Sequence, residues 1–285
     1  MATLRSYLPV DPQASFPVFL AWAETISAAF ASMGWTRTSD TGQVTLSSLS
    51  AVPSTYPFEI WQATDALAST LPILIKIGYG AFAQFASITM QFGTGSNGAG
   101  VLTNASPMYT FTNNNGGSGG NQFLECSFSG SPGRFTCLMF RSWVGAFVFS
   151  VERSHNASGA DTAEYITYIA GGVNQGINQQ CILPPLQGGG TPVESSIVSV
   201  HTTNPSGVVP GGNASLCASP VWPLVGRLGN PLINAVVVKA ADFADGTVLP
   251  VSLYGTSRNY LVAKTLIGSA SITRGGGTAL ALIYS

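Results

Sequence analysis

The sequence predicts a mainly β protein: an antiparallel β-sandwich or barrel-like domain, with one N-terminal amphipathic helix and a C-terminal β subdomain. Three observations predict it. Short runs rich in Ile, Val, Phe, Tyr and Trp recur along the chain, among them FEIWQA, PILIKIGYG, FASITMQFG, RFTCLMFRSW and GAFVFSVER. Clusters of Gly, Asn, Ser and Pro separate them, as in GTGSNGAG, TNNNGGSGG and SGSPG. Near the start, a single stretch places apolar residues at helical spacing.

That helix is the first element. Ser15 suits its N-cap and Pro17 its first turn, and Gly34 stands where it should stop. Phe19, Trp22, Ala23, Ile26, Phe30 and Met33 share one face. That face must dock on the chain's own sheet or on a neighbouring subunit, which makes Phe19, Trp22, Ile26 and Phe30 interface candidates. Strands follow from PFEIWQA onward. In FLECSFSGSPGRFTCLMF a turn centred between Ser131 and Pro132 predicts a hairpin with Phe128 opposite Phe135, Cys126 opposite Cys137 and Leu124 opposite Met139. A cross-strand disulfide fits that register, but two buried thiols suit a cytoplasmic product better. AEYITYIAGG tilts to strand by its β-branched and aromatic content. PPLQGGGTPVESS and TTNPSGVVPGGNAS are connectors or arms, and NAVVVKAADF, TVLPVSLYG, RNYLVAKTLI and TALALIYS form a second strand set. The expected organisation is an arm and helix over 1–40, a main β domain over 41–185, a connector over 186–219 and a C-terminal β subdomain over 220–285.

The chain's 285 residues are enough for a core without a metal or disulfide staple. Its charged fraction is 8%, against roughly 25% in ordinary soluble domains. Yet 45% of its residues are hydrophobic, and 33 are Gly. A surface so poor in charge favours association. The net charge of −1, with Lys and Arg scattered, argues against a nucleic-acid partner. MATLRSYLPVDPQASF lacks the apolar stretch of a secretory signal, and the helix carries Glu24, so neither export nor a transmembrane segment is expected.

Motifs that could carry chemistry lack their context. Gly93, Gly95 and Gly98 match G-x-G-x-x-G, but Pro107 and the Asn/Gly cluster after it leave no room for the helix that would hold a pyrophosphate. The glycines are expected to be a strand-connecting turn, with no cofactor. GGSGG around Ser118 matches a nucleophile elbow only formally, with His155 and His201 the available bases. Glu59, between Phe58 and Ile60, is expected at a solvated strand position, and no carboxylate pair is nominated for glycoside hydrolysis. Glu152, His155 and Asp161 lie close together, but their spacing fits no metal motif; a polar loop tied by Arg153 is expected, with no metal. The four cysteines contain no C-x-x-C.

PFEIWQATDALASTLPILIKIGYG followed by ITMQFGTGSNGAGVLTN resembles a pattern of tailed-bacteriophage virion proteins, in which an aromatic strand leads to P-I-x-I-K-I-x-Y-G and then to a G-T-G-x-N-G-x-G turn. FSVERSHNASGADTAEY and NPLINAVVV…VSLYGTSRNYLV are similar to later parts of those proteins. The resemblance implies a non-enzymatic structural role, in the tail tip, baseplate or collar. The product would be made in the host cytoplasm and built into the virion, with itself and other virion proteins as partners. The alternatives are a capsid decoration protein and a tail component that binds or degrades host-surface glycans, with Trp143 or Tyr109 as exposed sugar platforms.

Overall fold

The computed structural model describes residues 2–8, 15–82, 85–112, 124–141, 145–155, 158, 160–170, 180–183, 193–196, 199–200, 218–222, 224–225, 227–228, 233, 235–239, 243–244, 246–263 and 278–284. Strand β1 (Ala2–Leu8) precedes helix α1 (Phe16–Ser32). Then come β2 (Thr36–Arg37), β3 (Phe58–Gln62), β4 (Leu74–Phe82), β5 (Phe85–Gly93), β6 (Gly95–Ser96), β7 (Leu102–Thr103) and β8 (Tyr109–Thr112). The next group is β9 (Leu124–Ser131), β10 (Arg134–Arg141), β11 (Gly145–His155), β12 (Asp161–Ala170), β13 (Gln180–Leu183) and β14 (Val193–Ser196). The last is β15 (Ser199–Val200), β16 (Ala218–Trp222), β17 (Leu224–Val225), β18 (Arg227–Leu228), β19 (Ala235–Lys239), β20 (Val248–Leu253), β21 (Thr256–Ala263) and β22 (Thr278–Tyr284).

The protein is mainly β, with antiparallel sheets and one N-terminal helix, as the composition predicts. An N-terminal sheet runs β2-β3-β4-β5-β8, a central sheet β1-β9-β10-β11-β12-β13-β14, and a C-terminal sheet β15-β16-β19-β22-β21-β20. None of them closes on itself among the described residues. The first residues are more than an arm: β1 pairs along its whole length with β9. Of the expected connector, Val193–Ser196 instead pairs with β13 as an edge strand, and residues 201–217 lie outside the described residues, as does the boundary expected near 190.

Helix α1 forms where the apolar spacing puts it. Ser15 is extended at the N-cap but makes no side-chain capping bond, so the start rests on proline in the first turn. Gly34 closes the helix at φ +82°, a left-handed conformation that suits glycine. Phe19, Trp22, Ala23, Ile26 and Phe30 are fully buried. Phe30 stacks on Trp61 of β3 at 5.4 Å and on Phe135 of β10 at 3.9 Å between ring centroids. One helical side chain thus joins two sheets, and burying each such ring stabilises the fold by about 1.5–3 kcal/mol. The facing positions are Ile75, Ile77 and Tyr79 of β4 and Ile88, Met90 and Phe92 of β5, set opposite one another by the β4–β5 register.

The β9–β10 hairpin corrects the expected register. Phe128 pairs with Cys137, Gly130 with Phe135 and Cys126 with Met139. Its two turn residues are Pro132 and Gly133, one position later than predicted. Proline's fixed φ suits the first central position of a turn; at the second it would force Ser131 out of the helical region. The slip is two residues, so Cys126, Phe128, Phe135 and Cys137 keep their predicted face. Cys126 and Cys137 are both buried and unbridged. Burial, with Cys126 nearby, pushes the Cys137 thiol well up. Gly133 is needed where it stands, because a Cβ there would collide with the Asp65 carboxylate.

In the C-terminal unit β20 alternates exposed and buried residues, and Val251, Tyr260 and Val262 build a core with Ile233 and Val236. The β20–β21 hairpin turns at Tyr254 and Gly255, both at positive φ. Glycine or asparagine is usual there; a tyrosine at φ +52° is a strained choice that surrounding contacts must hold.

Candidate functional site

Strand β11 sets the site by alternation. Val151 and Arg153 face the helix-side core, whereas Glu152 faces the other way. The pairing of β11 with β12 shifts between Arg153 and His155. The Arg153 guanidinium, fully buried, donates to both carboxylate oxygens of Asp65 at 2.8 Å. That bidentate pair ties the central sheet to the segment after β3.

On the opposite face the polar groups form a continuous chain. Arg134 lies 2.6 Å from Asp161 Oδ1, and the same oxygen is 3.1 Å from His155 Nδ1. This His–Asp contact is close enough for an ion pair but is not aligned as a hydrogen bond. The other ring nitrogen, Nε2, is 3.1 Å from Glu152 Oε1. Glu152 Oε1 also accepts the backbone N–H of Ile233 at 2.6 Å. The Ile233 carbonyl in turn accepts from the Tyr260 hydroxyl at 2.7 Å. Tyr254, the strained turn residue, places its ring 6.0 Å from the imidazole. Glu152 and His155 are buried, and Asp161 is 37% exposed.

Burial alone would lower the His155 pKa, but the Asp161 and Glu152 carboxylates outweigh it and raise the group above its ordinary value. Asp161 is held down to about 2, chiefly by His155 and further by Arg134. Tyr254 is pushed up to about 12 by burial and the Glu152 charge. Tyr260 is raised further, first by burial. Chemically this arrangement can hold and release one proton at His155. The imidazole's two nitrogens both face carboxylates. The carboxylates sit at opposite ring nitrogens, so the three side chains do not converge on one point, and no metal-holding group occurs among the described residues. The expected loop tied by Arg153 is thus corrected: Glu152 and His155 lie on a strand, and Arg153 serves the other face.

The glycine-rich loop connects β6 to β7, as a strand turn. Its polar groups are engaged by the chain itself. Ser96 Oγ and the Gly100 N–H both donate to Asp40 Oδ1, and Asn97 Oδ1 accepts from the Ala99 and Val101 amides. Lys76 Nζ donates to the Gly100 carbonyl at 2.6 Å.

Glu59 overturns its expectation. It is 2% exposed, beneath α1, and accepts from Ser27 Oγ, Trp61 Nε1 and the Tyr79 hydroxyl at 3.1, 3.2 and 2.9 Å, with Arg37 at 3.5 Å. Phe58 and Ile60 lie on the outer face instead, with Leu74 and Leu102. A buried acid needs such partners. Phe19, Trp22, Ile26 and Phe30 lie fully inside this chain's own core, so none of these side chains is left for a neighbour's surface. Tyr109 is 7% exposed and offers no open ring to a sugar. Ser118, Trp143 and His201 lie outside the described residues. No described helix is long and apolar enough to cross a membrane. Sequence reasoning missed Ile233, Tyr254 and Tyr260 as members of the His155 network; only the Tyr-Gly hairpin turn hinted at a special position.

No protein-family model matches this chain, and no curated protein matches it.

Proposed function

We propose that this chain is a structural component of a tailed-phage virion, a tail tip, baseplate or collar protein that assembles with itself and with neighbouring virion proteins. The observation that carries the proposal is the scarcity of charge. Eleven Lys and Arg and twelve Asp and Glu serve 285 residues. Several are paired with one another, as Arg37 with Glu59, Arg153 with Asp65 and Arg134 with Asp161, and Glu59, Glu152 and Arg153 are buried. The charge left to keep free copies apart is smaller still than composition suggests. Symmetric closure is the commonest way to cover identical sticky patches, and it covers strand edges as well. The pattern shared with tailed-phage virion proteins supports the same reading.

Sedimentation of the purified chain over a wide concentration range, joined to mass spectrometry of purified particles, tests the proposal. The expected result is a discrete homo-oligomer that survives high salt, because apolar burial is not screened, and peptides of this chain in the particle. A soluble monomer at high concentration that is absent from particles would overturn it.

A further inference from the structure

We propose that His155 is a proton-controlled latch between the central sheet and the C-terminal unit: the imidazolium steadies the Glu152 carboxylate on the Ile233 amide, and loss of its Nδ1 proton weakens that clasp by removing the positive charge beside Glu152.

The argument is geometric. Both imidazole nitrogens face a carboxylate oxygen at 3.1 Å, Nε2 toward Glu152 and Nδ1 toward Asp161. A neutral imidazole carries one N–H and one lone pair. Whichever tautomer forms, its bare nitrogen then stands 3.1 Å from a carboxylate oxygen without the positive charge that drew the acid there. The charged ring alone carries an N–H at both nitrogens and a positive charge toward both acids. The acid it steadies inside the protein is Glu152, fully buried, whose Oε1 is also the acceptor for the Ile233 N–H. Ile233 is buried in the C-terminal core, and its carbonyl is fixed by Tyr260. The Nδ1 proton is the one that leaves, toward Asp161 at the partly exposed end of the chain of groups; the Nε2–H still faces Glu152, but the charge beside that buried carboxylate is gone.

The charged and titratable groups around His155, among the described residues, come from every element packed on it. Arg134 stands beyond Asp161 from β10, Glu152 precedes it on β11, and Asp161 begins β12. From the C-terminal hairpin come Tyr254, Tyr260 and Arg258, the last tied to the Leu253 and Thr256 carbonyls. Tyr254 and Tyr260 are raised far from neutrality, and Asp161 is held at about 2, so these groups keep their charge through the mild alkaline range. His155 is raised above its ordinary value. Its contribution is therefore fully present below the ordinary histidine pKa and is lost as pH rises through the raised one. Closure on the acidic side and loosening on the alkaline side follow. The latch does not depend on the virion proposal.

Hydrogen exchange at the Ile233 amide, corrected for base catalysis, reads the clasp directly. Between about pH 6 and about pH 9, a span bracketing the ordinary imidazole range, protection in the wild-type chain should fall, in a single step. The fall should follow the wild-type His155 imidazole signal titrated in the same sample. His155→Gln should flatten the pH dependence. Tyr260→Phe should lower protection at every pH and keep the step. A pH-independent Ile233 in the wild type, a step displaced from the imidazole titration, a step that persists in His155→Gln, or one that vanishes in Tyr260→Phe would overturn the latch. The wild-type titration stands by itself if His155→Gln does not fold.

Discussion

Among the described residues, both faces of the central sheet are buried, yet they adhere by different means. Cys126, Phe128, Phe135, Cys137, Phe149 and Val151 meet α1 and the N-terminal sheet in one apolar core. On the reverse face Ser127, Ser129, Thr136, Ser150 and Glu152 are equally buried but polar. The C-terminal unit reaches that side through Ile233, and β22 runs near β9 and β1. Apolar burial is indifferent to pH and salt. A hydrogen-bonded polar face depends on every partner keeping its charge or proton. The same strands therefore carry a permanent seam on one side and a releasable one on the other.

Changes on the apolar side should have the largest effect. Ile26→Asp would bury an unpaired charge at the centre of α1, at a cost of several kcal/mol, about the whole stability of many domains. Loss of the cooperative thermal transition is expected; a folded variant with a near-normal melting temperature would break the assignment of α1 to the core. Next comes Asp65→Ala, which takes the bidentate carboxylate from the fully buried Arg153. About 3 kcal/mol should be lost, read as a lower denaturant midpoint with an unchanged slope.

Glu59→Gln sharpens the contrast, because it is a polar change inside the apolar core. The amide keeps one accepting oxygen, sets an NH2 donor against donors at the other position and gives up the Arg37 charge, and about 1–3 kcal/mol should go. Stability unchanged at neutral pH would mean that Glu59 does not hold α1 down. Thr136→Val is the smallest change. Thr136 Oγ1 lies 2.7 Å from Ser150 Oγ on the polar face. Removing the hydroxyl should cost about 1 kcal/mol and quicken exchange in the C-terminal hairpin before it affects α1. An effect as large as that of Asp65→Ala would show that the polar face is no weaker a seam.

The parts legible in sequence are those fixed by local periodicity. Helical spacing identified the face of α1 that is buried, and strand alternation put Phe128, Phe135 and both hairpin cysteines on one side even though the register was two residues off. Faces survive such a slip and partners do not. Alternation could not tell that the reverse face is covered, since Ser and Thr between aromatics look the same whether water or another sheet lies over them. Glu59 was misplaced for a related reason. Its partners come from Ser27, Arg37, Trp61 and Tyr79, which meet only once α1 packs on β3 and β4. Strand β1 went unread because its pairing with β9 spans more than a hundred residues and its own alternation is weak. Glu152, His155 and Asp161 were visible as neighbours in sequence, whereas the groups that give them a role, Ile233, Tyr254 and Tyr260, arrive from a distant part of the chain.

One measurement tests the contrast between the two seams most directly: exchange protection of the Phe30 and Ile233 amides, followed in the same sample of the wild-type chain from mildly acidic to mildly alkaline pH. Phe30 should keep its protection throughout once base catalysis is corrected, while Ile233 loses protection as His155 gives up its proton. Both amides falling together, or both holding steady, would contradict the account, because the two faces of the central sheet would then be one seam.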